Sequence, residues 1–270
     1  MDPGMADPIK NQNSHENPHL SYWQRAQEPL QALIFLLPLI AFYELGAAFL
    51  SIDRVRSGLR MSQFRELPSY LKSRQDLIEF FAMFGISSPY LPGLAVLAVL
   101  LCWHWVKRDR CGLRWKFLGL MWAESMLLSL PLFVFSLVLA RRAAATGTDA
   151  QTPAELNSLD HIVLSVGAGI YEELVFRLIG IALLHWLLVD WLGVPMRWGA
   201  AATIGVTSIA FSLYHFSSNY PFAPGLFVFY TVAGIYFAAI YLLRGFGIVV
   251  AVHALYDIFV VLLKLQYRYG

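Results

Sequence analysis

Apolar runs of membrane-spanning length alternate along this chain with short polar and basic connectors, and that alternation predicts a set of packed helices. The first run extends from about Leu30 to Leu50 and carries Pro38 and Glu44. A polar stretch follows, Asp53 to Asp76, rich in Arg and Lys. Leu77 to Ile86 is apolar but too short to cross a bilayer, which suits an interfacial or re-entrant piece, and Pro89 and Pro92 break it off. Leu94 to Val106 reads as the second span and Phe117 to Ala140 as the third, the latter with Glu124 and Pro131 inside it. Ala143 to Asn157 has small residues, Thr and Pro without an apolar period and reads as a loop, with Asp160 placed to cap the next helix.

From Ile162 the chain stays apolar to Leu192, longer at helical rise than a hydrocarbon core of about 30 Å. Either one long helix projects beyond the bilayer, or the run breaks near Gly180. Trp198–Tyr214, Gly225–Leu243 and Ile248–Leu263 complete the set, divided by the polar stretch His215–Pro224 and the turn Arg244-Gly245-Phe246-Gly247. The predicted fold class is therefore all-α, a polytopic transmembrane bundle of seven or eight helices. Three regions are expected: a disordered polar tail over 1–28, amino-terminal spans and loops over 29–160, and a carboxy-terminal core over 161–265. The tail lacks the apolar centre of a signal peptide, and Met5 offers a second possible start.

Composition agrees with a membrane protein. Of the 270 residues, 58% are hydrophobic and 14% charged, where a soluble domain carries about a quarter charged. A net charge of +2 is too small to suggest a nucleic-acid partner; the bilayer is the expected one. Basic loops flank the second span on both sides, so the positive charges choose no orientation. Cys102 lies in an apolar run and Cys111 in a basic loop, which gives no disulfide framework.

Against that background, Gly169-Ile170-Tyr171-Glu172-Glu173-Leu174-Val175-Phe176-Arg177 stands out. A charge at membrane depth costs about 2.5–3.5 kcal/mol on insertion scales, so two carboxylates and a guanidinium there need a reason. On a helix Glu173 and Arg177 share a face four residues apart and can neutralise each other. Glu172 is turned about 100° away and is left to face a cavity. Two further polar pairs follow at the same spacing in separate apolar segments: Phe211-x-x-x-His215 and His253-x-x-x-Asp257. Buried carboxylates and imidazoles that find one another can take a proton from water and stabilise an oxyanion. Each pair also has a plain structural reading, as helix glue or an interhelical clamp. Glu44 and Glu124 have no evident partner, His104 sits in an aromatic belt, and His161, His185 and Asp190 read as packing or surface residues.

In order and spacing, Glu172-Glu173-x-x-x-Arg177, Phe211-x-x-x-His215 and His253-x-x-x-Asp257 resemble the three motifs of the CAAX protease and bacteriocin-processing family, which includes the prenyl endopeptidases. That resemblance implies an intramembrane glutamic-type endopeptidase without metal or other cofactor, acting on a membrane-associated peptide or protein. It implies Glu172 and His215 as activators of water, His253 and Asp257 at the oxyanion side, and Glu173, Arg177 and Phe211 as residues that structure the site. Two positions depart from the pattern. Asp257 stands where the prenyl endopeptidases resemble His-x-x-x-Asn, and an ionised aspartate cannot donate to an oxyanion; it is either protonated or orients His253. Leu178 follows the motif arginine where many members have Gly.

Two other classes fit parts of the set. Glu172, His215, His253 and Asp257 are all acceptable zinc ligands, although no His-Glu-x-x-His segment occurs. A proton-coupled transporter or an immunity protein would also keep buried carboxylates and histidines, but the chain shows neither repeated halves nor paired broken helices.

Overall fold

The computed structural model describes residues 21–56, 72–86, 88, 90–107, 115–145, 158–216 and 221–269, and no strand occurs among them. The helices are α1 (Tyr22–Ala26), α2 (Pro29–Arg56), α3 (Lys72–Ala82), α4 (Leu91–Lys107), α5 (Trp115–Ala145), α6 (Ser158–Trp191), α7 (Met196–Tyr214), α8 (Pro224–Arg244) and α9 (Phe246–Tyr269). Five stretches are long and apolar enough to cross a membrane: Pro29–Leu50, Trp115–Leu139, Ser158–Trp191, Pro224–Arg244 and Phe246–Leu263. The chain is a multi-pass membrane protein of the predicted all-α class. Pro38 and Pro131 lie inside α2 and α5 without ending them, as spanning helices tolerate.

α9 is the hub. It packs against α6, α5, α8 and α2, and the run Ile248-Val249-Val250-Ala251-Val252 is buried on every side. Such all-round burial is what a helix apolar on all faces requires. It approaches α6 closely: a Cβ added at Gly169 would lie 2.8 Å from the Val250 carbonyl oxygen. The missing side chain lets the two backbones meet, and that contact brings the α6 carboxylates level with His253. A single non-helical residue, Gly245 at φ +87°, separates α8 from α9, a backbone setting that suits glycine.

Several expectations need correction. Residues 1–20 of the expected tail lie outside the described residues, but Ser21 to Glu28 is ordered. Ser21 caps α1 and forms a reciprocal capping box with Gln24. Asp160 is not a cap, because α6 already begins at Ser158 and Asp160 is buried in its first turn. The long run neither stops nor breaks at Gly180. Its α-helical part ends at Glu173, and Leu174–Ile181 and Trp186–Trp191 continue with π-helical bonding around a short α turn at Ala182–His185. A Cβ at Gly180 would lie 3.0 Å from the carbonyl oxygen of Val175, so the small residue eases this register instead of breaking the helix.

Glu124 and Glu44 both have partners. Glu124 accepts from Tyr22 Oη and from Arg244 Nε and Nη2, the last at 2.7 Å. The Arg244 guanidinium lies 3.7 Å over the Trp23 ring, and Gln27 Nε2 donates to the Leu243 carbonyl at 2.7 Å. α1 is thereby fastened to α5 and to the α8–α9 corner. Burial and the Glu124 carboxylate hold the Tyr22 phenol above its ordinary value, so it remains a donor. Glu44 on α2 accepts from Tyr171 Oη at 2.7 Å, immediately beside the α6 carboxylates.

Candidate active site

Glu173 joins two helices. Its Oε2 lies 3.1 Å from Arg177 Nε on α6, as the four-residue spacing predicts. Its Oε1 lies 2.7 Å from Nδ1 of His253 on α9, a contact that no local spacing announces. Glu173 and Arg177 are 0% and 1% exposed, so neither charge is relieved by solvent. Removing one partner of such a pair costs about 3–5 kcal/mol, because the other stays buried and charged. Arg177 is held further by Nη2 donating to the Gly234 carbonyl at 3.3 Å, and its guanidinium lies 4.2 Å over the Phe211 ring.

His215 closes the carboxyl end of α7. Its Nδ1 is 2.8 Å from the Phe211 carbonyl oxygen, which can only accept. Nδ1 therefore carries the proton, and in the neutral ring Nε2 holds the lone pair. That nitrogen faces Glu172 Oε2 at 3.7 Å, beyond direct hydrogen-bonding length. Glu172 is 1% exposed, and Oε2 has no hydrogen-bond partner among the described residues. A carboxylate oxygen and an imidazole nitrogen thus point at one small volume.

The second imidazole is arranged in parallel. With Nδ1 on Glu173, His253 directs Nε2 toward Asp257 Oδ2 at 3.6 Å, one turn further along α9. Asp257 is the more open group, with 26% of its side chain exposed. Glu172, Glu173, Arg177, Phe211, His215, His253 and Asp257, chosen by spacing in three apolar segments, all meet in this one cluster. Chemically, the Glu172–His215 pair can accept a proton from water, and a doubly protonated His253 can donate from Nε2.

Three contributors escaped sequence reasoning, all on α8. The Tyr230 ring lies flat against His215, with centroids 4.1 Å apart and planes 22° apart. The Phe237 ring lies flat against His253 at 4.5 Å and 18°. Gly234, between them, supplies the carbonyl that holds Arg177. In an apolar run of a chain that is 15% aromatic, nothing distinguishes these rings from lipid-facing ones. Tyr214, beside His215, donates to Asp76 of α3 at 2.7 Å, another link without a local signature. Among the described residues, no group of three or more His, Cys, Asp or Glu side chains is gathered as around a metal ion.

Residues 155–259 match the family model described as type II CAAX prenyl endopeptidase Rce1-like. Comparison with curated proteins and with solved structures returned no match. The matched stretch is somewhat over a third of the chain and contains all three polar motifs. Through that segment, wrapped around the α6–α9 contact, the chain is similar to the Rce1-like type II CAAX prenyl endopeptidases.

Proposed function

We propose that this protein is a glutamic-type endopeptidase in which Glu172 and His215 together activate the water that attacks the scissile carbonyl. The observation that carries this reading is the 3.7 Å separation of Glu172 Oε2 from His215 Nε2, with His215 anchored through Nδ1 and Oε2 otherwise unpartnered among the described residues. A water between them can donate a proton to either group as its oxygen adds to the carbonyl carbon. The resulting oxyanion is stabilised by the Nε2 proton of His253, whose Nδ1 proton is held by Glu173. At 3.6 Å Asp257 orients that ring without taking the Nε2 proton into a short hydrogen bond. Collapse of the intermediate breaks the C–N bond, and the proton gained from water passes to the leaving amine.

The family description names a prenyl endopeptidase, and the substrate proposed here is accordingly a peptide with a prenylated carboxyl-terminal sequence. An apolar groove of about 320 Å³, lined by Leu130, Phe133, Phe259, Leu262 and Leu263, lies between α5 and α9 close in sequence to Asp257. It offers such a chain an apolar surface.

A double-mutant cycle tests the water-activating pair. Glu172→Ala and His215→Ala are each expected to lower kcat by about 10²–10⁴-fold on a quenched peptide ending in a farnesylated C-a-a-X sequence. Acting as one unit, the pair predicts a double variant little slower than either single one. Fully multiplicative losses, or a single variant with near-normal turnover, would refute the pairing.

A further inference from the structure

The motif-bearing helices α6, α7 and α9 are not the only ones to touch the reacting groups. Tyr230, Gly234 and Phe237 recur at positions i, i+4 and i+7 of α8 and therefore form one stripe along it. Each of the two aromatic rings covers the face of one site imidazole, at 4.1 Å and 22° for Tyr230 on His215 and at 4.5 Å and 18° for Phe237 on His253. Tyr230 is partly buried and Phe237 fully so.

The geometry points to Tyr230 and Phe237 as positioning residues for the hydrolysis, two aromatic plates that fix the planes of His215 and His253. This assignment rests on the peptidase reading above. The second torsion of a histidine side chain is broad, so one hydrogen bond at Nδ1 fixes a tautomer but not the ring plane. The Phe211 carbonyl holds His215 at one atom, and Glu173 does the same for His253. A flat ring at van der Waals distance removes the remaining swing. Phe211 also packs against His215, edge-on at 4.6 Å and 62°, which restricts the imidazole further. The π-faces also accommodate the imidazolium formed when His215 takes a proton or His253 carries two.

A purely structural filler would tolerate a leucine of similar bulk; a plate would not. On the farnesylated C-a-a-X reporter, Tyr230→Leu and Phe237→Leu are expected to lower kcat by about ten- to a hundredfold, the scale of a misplaced reacting group. KM should change less than about threefold, and Tyr230→Phe and Phe237→Tyr should recover most of the turnover. In the folded wild type, the His215 ring protons should show an upfield ring-current shift that Tyr230→Leu removes. Wild-type kcat in the leucine variants overturns the assignment, as does a Tyr230→Phe variant as slow as Tyr230→Leu. Should a leucine variant fail to fold, an unshifted His215 resonance in the wild type overturns it instead. A His215→Ala control separates the two layers. If it is inactive while the leucine variants work, only the plates are wrong; if it works, or the wild type cleaves nothing, the peptidase reading falls with them.

Discussion

At the scale of residues, the proposed mechanism divides the site into groups that do chemistry and groups that hold them. Glu173 belongs to the second kind despite standing next to Glu172. Both of its oxygens are committed, one to Arg177 at 3.1 Å and one to His253 at 2.7 Å. Glu172, one residue earlier and about 100° around the helix, faces His215 instead. Adjacent identical side chains thus take different partners through helix geometry alone. Asp257 is the position where this chain departs from the pattern it resembles, and Asp257→Asn is the informative change. An orienting carboxylate predicts a kcat fall of about tenfold in Asp257→Asn, since a neutral amide holds the imidazolium less firmly. Turnover kept or raised would show that Asp257 acts as a donor, the role an amide fills directly.

At the scale of elements, the sequence disclosed what repeats locally. The apolar runs announced α2, α4, α5 and the helices from α6 to α9, and four-residue spacing announced the Glu173–Arg177 and His253–Asp257 pairs. Contacts between helices had no such signal: Glu173 to His253 spans 80 residues and Glu124 to Arg244 spans 120. The π register from Leu174 was equally hidden, because it changes the bonding partner without changing composition. α8 is the clearest case, since its contribution is a glycine and two rings. A Cβ at Gly234 would lie 3.0 Å from Ser208 Cα on α7, a backbone neighbour that cannot rotate away. Gly234→Leu should therefore push α8 off α7, cost about 1–3 kcal/mol of stability, and displace the carbonyl that holds Arg177. Thermal unfolding of the purified protein checks this. An unchanged melting temperature would mean that α7 and α8 are not in close contact there.

At the scale of the molecule, polar connections fasten an otherwise apolar bundle. α1 acts as a clasp at one end, where Glu124 receives Tyr22 and Arg244 together and Trp23 covers the guanidinium. Lys107 at the end of α4 adds a bridge to Glu28 at 2.9 Å, but it is more exposed and contributes little. Arg244→Met should strand the Glu124 carboxylate, lower stability by about 3 kcal/mol, and make the segment 21–28 more sensitive to added protease. Equal melting and equal proteolysis would show that the clasp is dispensable. Deeper in the bundle, the same economy of polar groups produces the site. Glu173 balances Arg177 and His253, and Glu172 is left as the carboxylate aimed at His215.

The proposed hydrolysis turns on that carboxylate. The most direct measurement is cleavage of the farnesylated C-a-a-X reporter by purified wild-type protein and by Glu172→Gln, each with and without a strong chelator. Glutamine keeps the shape of Glu172 but cannot take a proton. A water-activating Glu172 predicts that the wild type cleaves equally in both conditions and that Glu172→Gln loses about 10²–10⁴-fold in kcat. Near-normal cleavage by Glu172→Gln would contradict it, and cleavage abolished by the chelator would hand the same residues to a metal.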